Sequence, residues 1–438
     1  MFQKLNLTLL SICLAYALVP QKLPVRHDLQ SALLPGNQNA NSEPANNKPA
    51  DAPVQPVRTG AERLDKYLPL LKGKGIAVFA NHTSTVGKSH LVDTLVKLGV
   101  NVKVIFGPEH GFRGTADAGE KIDNVTDPGT GVPVISLYGK KRKPSAEDLK
   151  DVDIMLFDIQ DVGVRFYTYI SSLEEYIESA IENNKPVIVL DRPNPNGYYV
   201  DGPVLEPAFK SFVGMQPVPV VYGMTIGEYA KMLVGEKWIP IQKTQPSKVP
   251  NVIVIPCLNY TRETRYELPV RPSPNLPDMQ SIYWYPSTCY FEGTVLSEGR
   301  GTEKPFQIFG HPSLPDSLYS FTPVSRDGAK SPKLMNQLCY GWNLSGTKEE
   351  VLKKTGTRIQ LSYLLKAYKM FPEKEKFFLT SKKDPKPEDY FFNKLAGNAA
   401  LMQQIREGKS ETEIRKSWQP ALNAFKSIRR KYLIYAGQ

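Results

Sequence analysis

Cysteine is nearly missing from this sequence, with four residues in 438. Cys13 lies in an apolar N-terminal stretch, so only Cys257, Cys289 and Cys339 would remain once a leader is removed. An odd number allows at most one disulfide, and the spacing suits no metal. Three buried free thiols fit equally well. His82, His110 and nearby Asp residues offer metal-binding chemistry, but no H-x-x-x-H or comparable spacing joins them. No metal and no cofactor are therefore expected. No apolar run is long enough for a stable membrane span. Nucleotide loops are lacking too. No G-x-G-x-x-G follows the first strand-like run, and residues 82–89 (HTSTVGKS) end like a phosphate loop but carry His82 in place of its first glycine. That glycine lets backbone amides wrap phosphates, so the match is broken where it matters. There is no G-x-S-x-G elbow for a serine hydrolase. Zinc-finger spacings, RNP-type aromatic motifs and long basic blocks are also missing, which makes nucleic acid the weakest anionic partner.

What is present is an ordinary soluble composition, 41% hydrophobic and 23% charged, with a net charge of +11. That surplus permits an anionic partner without naming one, and lipid and cell-wall polymer both qualify. Lys4, the apolar residues 7–14 and the small-x-small site Ala15-Tyr16-Ala17 read as an export signal. The expected location is periplasmic or extracellular. Lipidation of Cys13 is an alternative, although Leu10-Ser11-Ile12 makes a poor lipobox. Residues 21–60 are rich in Asn, Pro, Ala and Gln and read as linker. The expected organisation is a signal peptide at 1–17, a flexible linker at 18–61, a first domain at 62–245 and a second at 246–438, since the length exceeds a single core.

From residue 62 strands and helices alternate. Apolar runs at 75–80 (GIAVFA), 102–106 (VKVIF), 132–137 (VPVISL), 153–157 (DIMLF) and 186–190 (PVIVL) are separated by helical patterns at 90–98, 145–150 and 171–183. Short runs apolar on both faces indicate a parallel sheet covered by helices. With right-handed crossovers the fold class is α/β, a doubly wound, Rossmann-like parallel sheet. Thr225, with Glu228 three residues on, forms a capping box that opens the last helix of that domain. Beyond 245 the rhythm turns aromatic and proline-rich, with helices at about 361–371, 388–407 and 411–431. This predicts a smaller α+β C-terminal domain.

Polar residues crowd the segments that follow the strands. These are Asn81-His82-Thr83-Ser84; then P-E-H-G-F-R-G, with Glu109, His110 and Arg113; then Asp158-Ile159-Gln160-Asp161, continuing to Arg165, Tyr167 and Tyr169; and Asp191-Arg192-Pro193-Asn194. In a parallel sheet such loops meet at one edge, where ligands bind. Any one of them could be a solvated turn; four together make a pocket. A fifth segment, Ser297-Glu298-Gly299-Arg300-Gly301-Thr302, has the same texture and would close an interdomain cleft, although a tight turn with an exposed ion pair reads equally plainly. Paired carboxylates with aromatics and amides suit a sugar, one carboxyl serving as general acid in glycosidic cleavage.

The series N-H-T-S, P-E-H-G-F-R-G, T-G-V-P-V-I-S-L-Y-G, F-D-I-Q-D-V-G-V-R-F-Y-T-Y, L-D-R-P-N-P, D-G-P-V-L, S-F-V-G, G-M-T-I-G-E, P-S-P-N-L-P and L-S-E-G-R-G-T resembles the bacterial exo-β-N-acetylmuramidase family. The resemblance implies a Rossmann-like catalytic domain, an auxiliary C-terminal domain and a site between them. It also implies release of N-acetylmuramic acid from the non-reducing end of peptidoglycan fragments or muropeptides. Glu109 matches the glutamate proposed as catalytic in that family. Phe106 and Phe112 beside it would raise its pKa and suit it to a general acid. Asp158 is expected as the assisting carboxylate ahead of Asp161, with His110 nearby. Asn81, His82, Arg113, Gln160, Tyr167, Asp191, Asn194 and Glu298 are expected at the substrate. Its lactyl carboxylate needs a cation, for which Arg165, Arg192 and Arg300 are candidates in that order. The alternatives are a non-catalytic wall-glycan binding protein, or an esterase or amidase acting on peptidoglycan.

Overall fold

The computed structural model describes residues 55–108, 111–113, 125–239 and 251–437. Glu109, His110, the expected leader with Cys13, and most of the expected linker lie outside them. The chain enters through helix α1 (Leu64–Leu71) and strand β1 (Gly75–Ala80), then a short hairpin, β2 (Thr85–Val86) and β3 (Ser89–His90). Helix α2 (Leu91–Lys97), β4 (Asn101–Gly107), β5 (Val125–Thr126), β6 (Pro133–Ser136) and β7 (Ile154–Asp158) follow. Next come α3 (Tyr169–Glu182), β8 (Val187–Leu190), an antiparallel ribbon of β9 (Asp201–Val204) and β10 (Pro219–Val221), α4 (Ile226–Gly235) and β11 (Val252–Ile255).

The central sheet has the order β11-β8-β7-β1-β4-β6-β5. All its pairings are parallel except that of the short edge strand β5. Read from β6 to β11 this is the doubly wound Rossmann order. The direction of winding across the sheet reverses between β1 and β7, which opens a crevice at the carboxyl ends of those strands. The apolar character of 75–80 follows from burial on both faces. Ile76, Val78 and Ala80 pack with Tyr67 and Leu71 of α1 and Leu91, Val92 and Leu95 of α2. Ala77 and Phe79 pack on the other face with α3 and α4. The capping box of α4 forms as read: Glu228 N donates to Thr225 Oγ1 at 3.3 Å, and Thr225 N donates to Glu228 Oε2 at 3.0 Å.

Three departures from the sequence reading have physical causes. The sheet does not end before residue 245, because β11 pairs in register with β8, Val252 beside Val187 and Ile255 beside Leu190. The stretch 145–150 forms only a single 3-10 turn at Glu147–Leu149. Asp148 is drawn back there to accept from Ser145 N at 2.6 Å. The expected helix at 388–407 is two helices, α8 (Phe391–Ala396) and α9 (Ala400–Arg406), broken where Gly397 turns left-handed at φ 81°.

The C-terminal half is α+β. It contains α5 (Met279–Thr288), an antiparallel sheet of β12 (Ile308–His311), β13 (Tyr319–Phe321) and β14 (Cys339–Asn343) in the order β12-β14-β13, then α6 (Lys348–Thr355), α7 (Ser362–Met370), α8, α9 and α10 (Glu411–Arg429). Its aromatic core includes Trp284, Tyr290, Phe309 and Phe377, and it also takes in Val162, Val164 and Phe166 from the segment after β7. The two halves thus share one core at the sheet's carboxyl edge. The last residues return to the first half, where Tyr435 donates its hydroxyl to Asp191 at 2.6 Å. Cys257, Cys289 and Cys339 are all buried free thiols. Among the described residues no helix is long and apolar enough to cross a membrane.

Candidate active site

At the crevice the first polar loop is organised by Asn81. Its Oδ1 accepts from Thr83 N at 2.9 Å and Thr83 Oγ1 at 2.6 Å, and its Nδ2 donates to the Tyr169 hydroxyl at 2.8 Å. An Asx turn of this kind satisfies backbone donors just past a strand end. Ser84 donates to the carbonyl oxygen of Asp158, which locks the β1 loop onto the end of β7. Gln160 N donates to Thr83 Oγ1, and its Nε2 reaches the carbonyls of Asp161 and Pro193, both at 2.8 Å. Asn194 Nδ2 donates to the Met224 carbonyl at 2.7 Å. His82 Nε2 donates to the Arg271 carbonyl at 2.9 Å, tying β1's loop to the segment ahead of P-S-P-N-L-P.

The charges in this layer are sealed. Asp158 and Arg192 form a bidentate pair, Nε to Oδ1 at 2.6 Å and Nη2 to Oδ2 at 2.8 Å, with both side chains almost wholly buried. Arg192 Nη2 also donates to the Thr85 carbonyl at 2.9 Å. Asp191 is saturated by Arg192 N, Gly227 N, Thr225 Oγ1 and the Tyr435 hydroxyl. Asp161 accepts from Gly163 N at 2.6 Å and from the Tyr222 hydroxyl. Burial pushes both Asp161 and Asp191 up to about 6. Arg165, fully buried, donates to the carbonyls of Pro203, Val218 and Leu395, and burial lowers it to about 10. Arg113 clamps Asp127 at 2.8 Å and Asp93 at 3.1 Å, beside the edge of the sheet rather than in the crevice.

Above this layer lies a cleft of about 310 Å³, lined by both halves of the chain. This is at the small end of the range for ligand sites. From the sheet half come Tyr138 and Arg142 after β6, Tyr167 and Tyr169 after β7, and Phe212. From the stretch between β11 and α5 come Ser273 and Asn275 of P-S-P-N-L-P, and from the C-terminal half Tyr285, Glu292, Arg300 and Phe306. The Tyr167 hydroxyl donates to the Pro272 carbonyl at 2.7 Å across the junction. Arg300 pairs with Glu292 at 2.6 Å and with Glu298 at 3.3 Å, and Glu298 also pairs with Lys333 at 2.8 Å. Burial works against the charge of Arg300, but the two carboxylates outweigh it and hold the guanidinium more firmly protonated than usual. The glycines beside it serve the fold. A Cβ on Gly299 would meet the Ile308 carbonyl at 2.7 Å, and one on Gly301 the Val324 carbonyl at 2.5 Å.

Of the residues expected at the substrate, Tyr167 and Arg300 line the cleft, Asn81, Gln160, Asp158, Asp161, Asp191, Arg192 and Asn194 form the buried layer behind it, and Glu298 is buried in the C-terminal half against Arg300 and Lys333. Arg165 is not offered to the cleft. Glu109 and His110 lie outside the described residues, but Gly107 and Pro108 before them leave the sheet at this same edge, where Gly107 pairs with Ser136. Sequence reading missed Tyr138, Arg142, Phe212, Asn275, Tyr285 and Glu292. Tyr138, Phe212 and Asn275 sit inside the family motifs, so their signal is in the sequence. Arg142 is hidden in the run Lys140-Lys141-Arg142-Lys143, which reads as a solvated basic surface. Among the described residues no group of three or more His, Cys, Asp or Glu could hold a metal ion.

A Rossmann-ordered sheet with an aromatic, charged cleft at its switch point, roofed by an α+β half, defines an α/β protein built to hold a small polar ligand. The chain matches the N-terminal domain of the exo-β-N-acetylmuramidase NamZ over residues 76–280 and its C-terminal domain over 283–435. It is 38% identical over 428 residues to the peptidoglycan β-N-acetylmuramidase NamZ of Bacillus subtilis strain 168, covering 93% of this chain and 98% of that protein. The chain belongs to the exo-β-N-acetylmuramidase family. Two crystal structures of DUF1343 family proteins from Bacteroides fragilis share its fold. One is 45% identical with a TM-score of 0.77, covering 88% of this chain and 100% of the other; the second is 28% identical with a TM-score of 0.69, covering 87% and 99%.

Proposed function

We propose that this chain is an exo-acting glycoside hydrolase that releases N-acetylmuramic acid from the non-reducing end of peptidoglycan fragments. The observation that carries this reading is that both family domains match in order while their junction holds a cleft of sugar size. The cleft chemistry agrees with it. Tyr167, Phe212 and Phe306 offer ring faces, Asn275 and Ser273 offer hydrogen-bonding groups, and Arg142 and Arg300 offer positive charge to an anionic sugar. Glu109, by its place in P-E-H-G, is the proposed general acid. The signal-like pattern of residues 1–17 supports export, so the substrate would be met outside the cytoplasm.

The test is hydrolysis of a nitrophenyl β-glycoside of N-acetylmuramic acid and of a defined wall disaccharide, with products identified by mass spectrometry. Free N-acetylmuramic acid should appear from the non-reducing end. Glu109→Gln should lower kcat by about 10²-fold or more while binding and fold persist. Near-normal turnover in that variant removes Glu109 from the mechanism. Binding without any turnover by the wild type would make the chain a glycan-binding protein, and released acetate or peptide would make it an esterase or amidase.

A further inference from the structure

The cations near the cleft differ sharply in how far their charge is already satisfied. Arg192 is committed to Asp158, and Arg165 to three backbone carbonyls. Arg300 lines the cleft but already faces two carboxylates, Glu292 and Glu298. Arg142 is different. It lines the cleft, makes no ion pair among the described residues, and its Nη1 is buried with no hydrogen-bond partner. A buried, unsatisfied guanidinium nitrogen is costly, so one that persists beside a cavity points to a ligand that completes it.

The surroundings hold Arg142 in place rather than neutralise it. Its guanidinium carbon lies over the Phe212 ring, 3.9 Å from its centre, a cation–π contact that holds the group in place without using its N–H donors. The neighbouring lysines anchor the loop on both sides. Lys141 pairs with Asp148 at 2.6 Å, and Lys143 pairs with Glu178 at 2.8 Å and Glu182 at 2.7 Å. Ser179 Oγ, donating to the Pro144 carbonyl at 2.8 Å, adds a further tie to α3. The acidic neighbours on α3 are thereby taken by Lys143, leaving Glu175 to act on Arg142 only through space.

We infer that Arg142 is the residue that recognises the lactyl carboxylate of the substrate and so sets preference for N-acetylmuramic acid over N-acetylglucosamine. A planar carboxylate matches a guanidinium edge through two parallel hydrogen bonds, and the lactyl group is the feature that separates the two sugars. This inference rests on the glycosidase reading for the identity of the sugar, but its test does not depend on turnover.

Calorimetric titration of the full chain with N-acetylmuramic acid, its lactyl carboxamide and N-acetylglucosamine makes that test. The wild type should bind the free acid about tenfold to hundredfold more tightly than either neutral ligand. Arg142→Gln should erase the difference, and Arg142→Lys should keep part of it. Equal binding of acid and carboxamide by the wild type overturns the inference without any variant being made. So does an Arg142→Gln protein with native circular dichroism that keeps the full preference, or one that loses affinity equally for all three ligands. If the acid preference is present and Arg142-dependent while the nitrophenyl glycoside is not cleaved, Arg142 stands and the hydrolase reading falls.

Discussion

The layer at the strand ends and the cleft wall above it are both dense in charge, yet their charges are handled in opposite ways. In the layer, Asp158 faces Arg192, Asp191 takes four hydrogen bonds, and Glu228 is paired with Arg262, all out of reach of solvent. In the wall, Arg142 has a nitrogen with no partner, and Arg300 and Glu292 remain part-exposed. Polar density after a strand therefore has two meanings. The residues immediately past the strand fix the loops to one another. The residues that can meet a ligand come several positions later, or from the other half of the chain.

Breaking a pair in the sealed layer should give the largest effect. Asp158→Asn leaves Arg192 charged, buried and uncompensated, which should cost about 3–5 kcal/mol, read as a lower urea midpoint. Replacing both partners together, Asp158→Leu with Arg192→Met, should recover much of that loss, because no charge is stranded. The opposite pattern would collapse the distinction between the regions. If Asp158→Asn keeps its stability but loses kcat, this carboxylate acts on the substrate from behind the wall.

The sealed layer also explains how much of the molecule was legible from sequence. The sheet could be read because strands such as 75–80 are apolar on both faces, a signature that burial between helices forces. The last strand, β11, is hidden because its VIVI run follows a change of rhythm that reads as a domain boundary. The layer residues stood out because Asn, Asp, Gln and Arg clustered beside Gly and Pro are conspicuous. Sequence gives their proximity but not their direction. Nothing in D-I-Q-D-V-G-V-R-F-Y says that Arg165 points into the core while Tyr167, two residues on, faces the cleft. The roof contributions from 273–306 were least legible, since they depend on how the second half packs against Phe166 and its neighbours.

A smaller effect separates the regions by pH. Asp161 is ordinarily near 3.8 and is pushed up to about 6 by burial in the native state. Between these values the folded protein keeps a proton that the unfolded chain releases. The stabilisation this gives is therefore fully present below about pH 4 and is lost as pH rises through about 6. The shift is about two units, so the full swing is on the order of 3 kcal/mol. Asp161→Asn should flatten the stability–pH curve over this window. Asp191 and Glu174, also raised by burial, keep their own shares in both proteins, so the difference between the two curves isolates Asp161. An unchanged difference from pH 4 to 6 would mean that Asp161 is not held in the low-dielectric layer described.

The smallest expected effect lies on the seam between the regions. Tyr167 belongs to the loop after β7, its ring lines the cleft, and its hydroxyl holds the Pro272 carbonyl of the opposite cleft wall at 2.7 Å. Tyr167→Phe removes that bond, and with it the hydroxyl's interaction with Tyr169, while keeping the ring packed against Tyr169 and Tyr285. A neutral hydrogen bond of this kind contributes about 0.5–1.5 kcal/mol net, so the urea midpoint should fall only slightly. The kinetic consequence should be out of proportion to that loss if the bond sets the spacing of the two cleft walls. P-S-P-N-L-P carries Ser273 and Asn275 into the cleft, and a misplaced wall lowers kcat/KM without unfolding anything. A drop of about tenfold in kcat/KM with little change in stability would make Tyr167 a positioning residue for the second wall. Equal, small losses in both would leave it an ordinary packing contact, with the two walls held in register by the shared core around Phe166 and by bonds such as His82 to the Arg271 carbonyl.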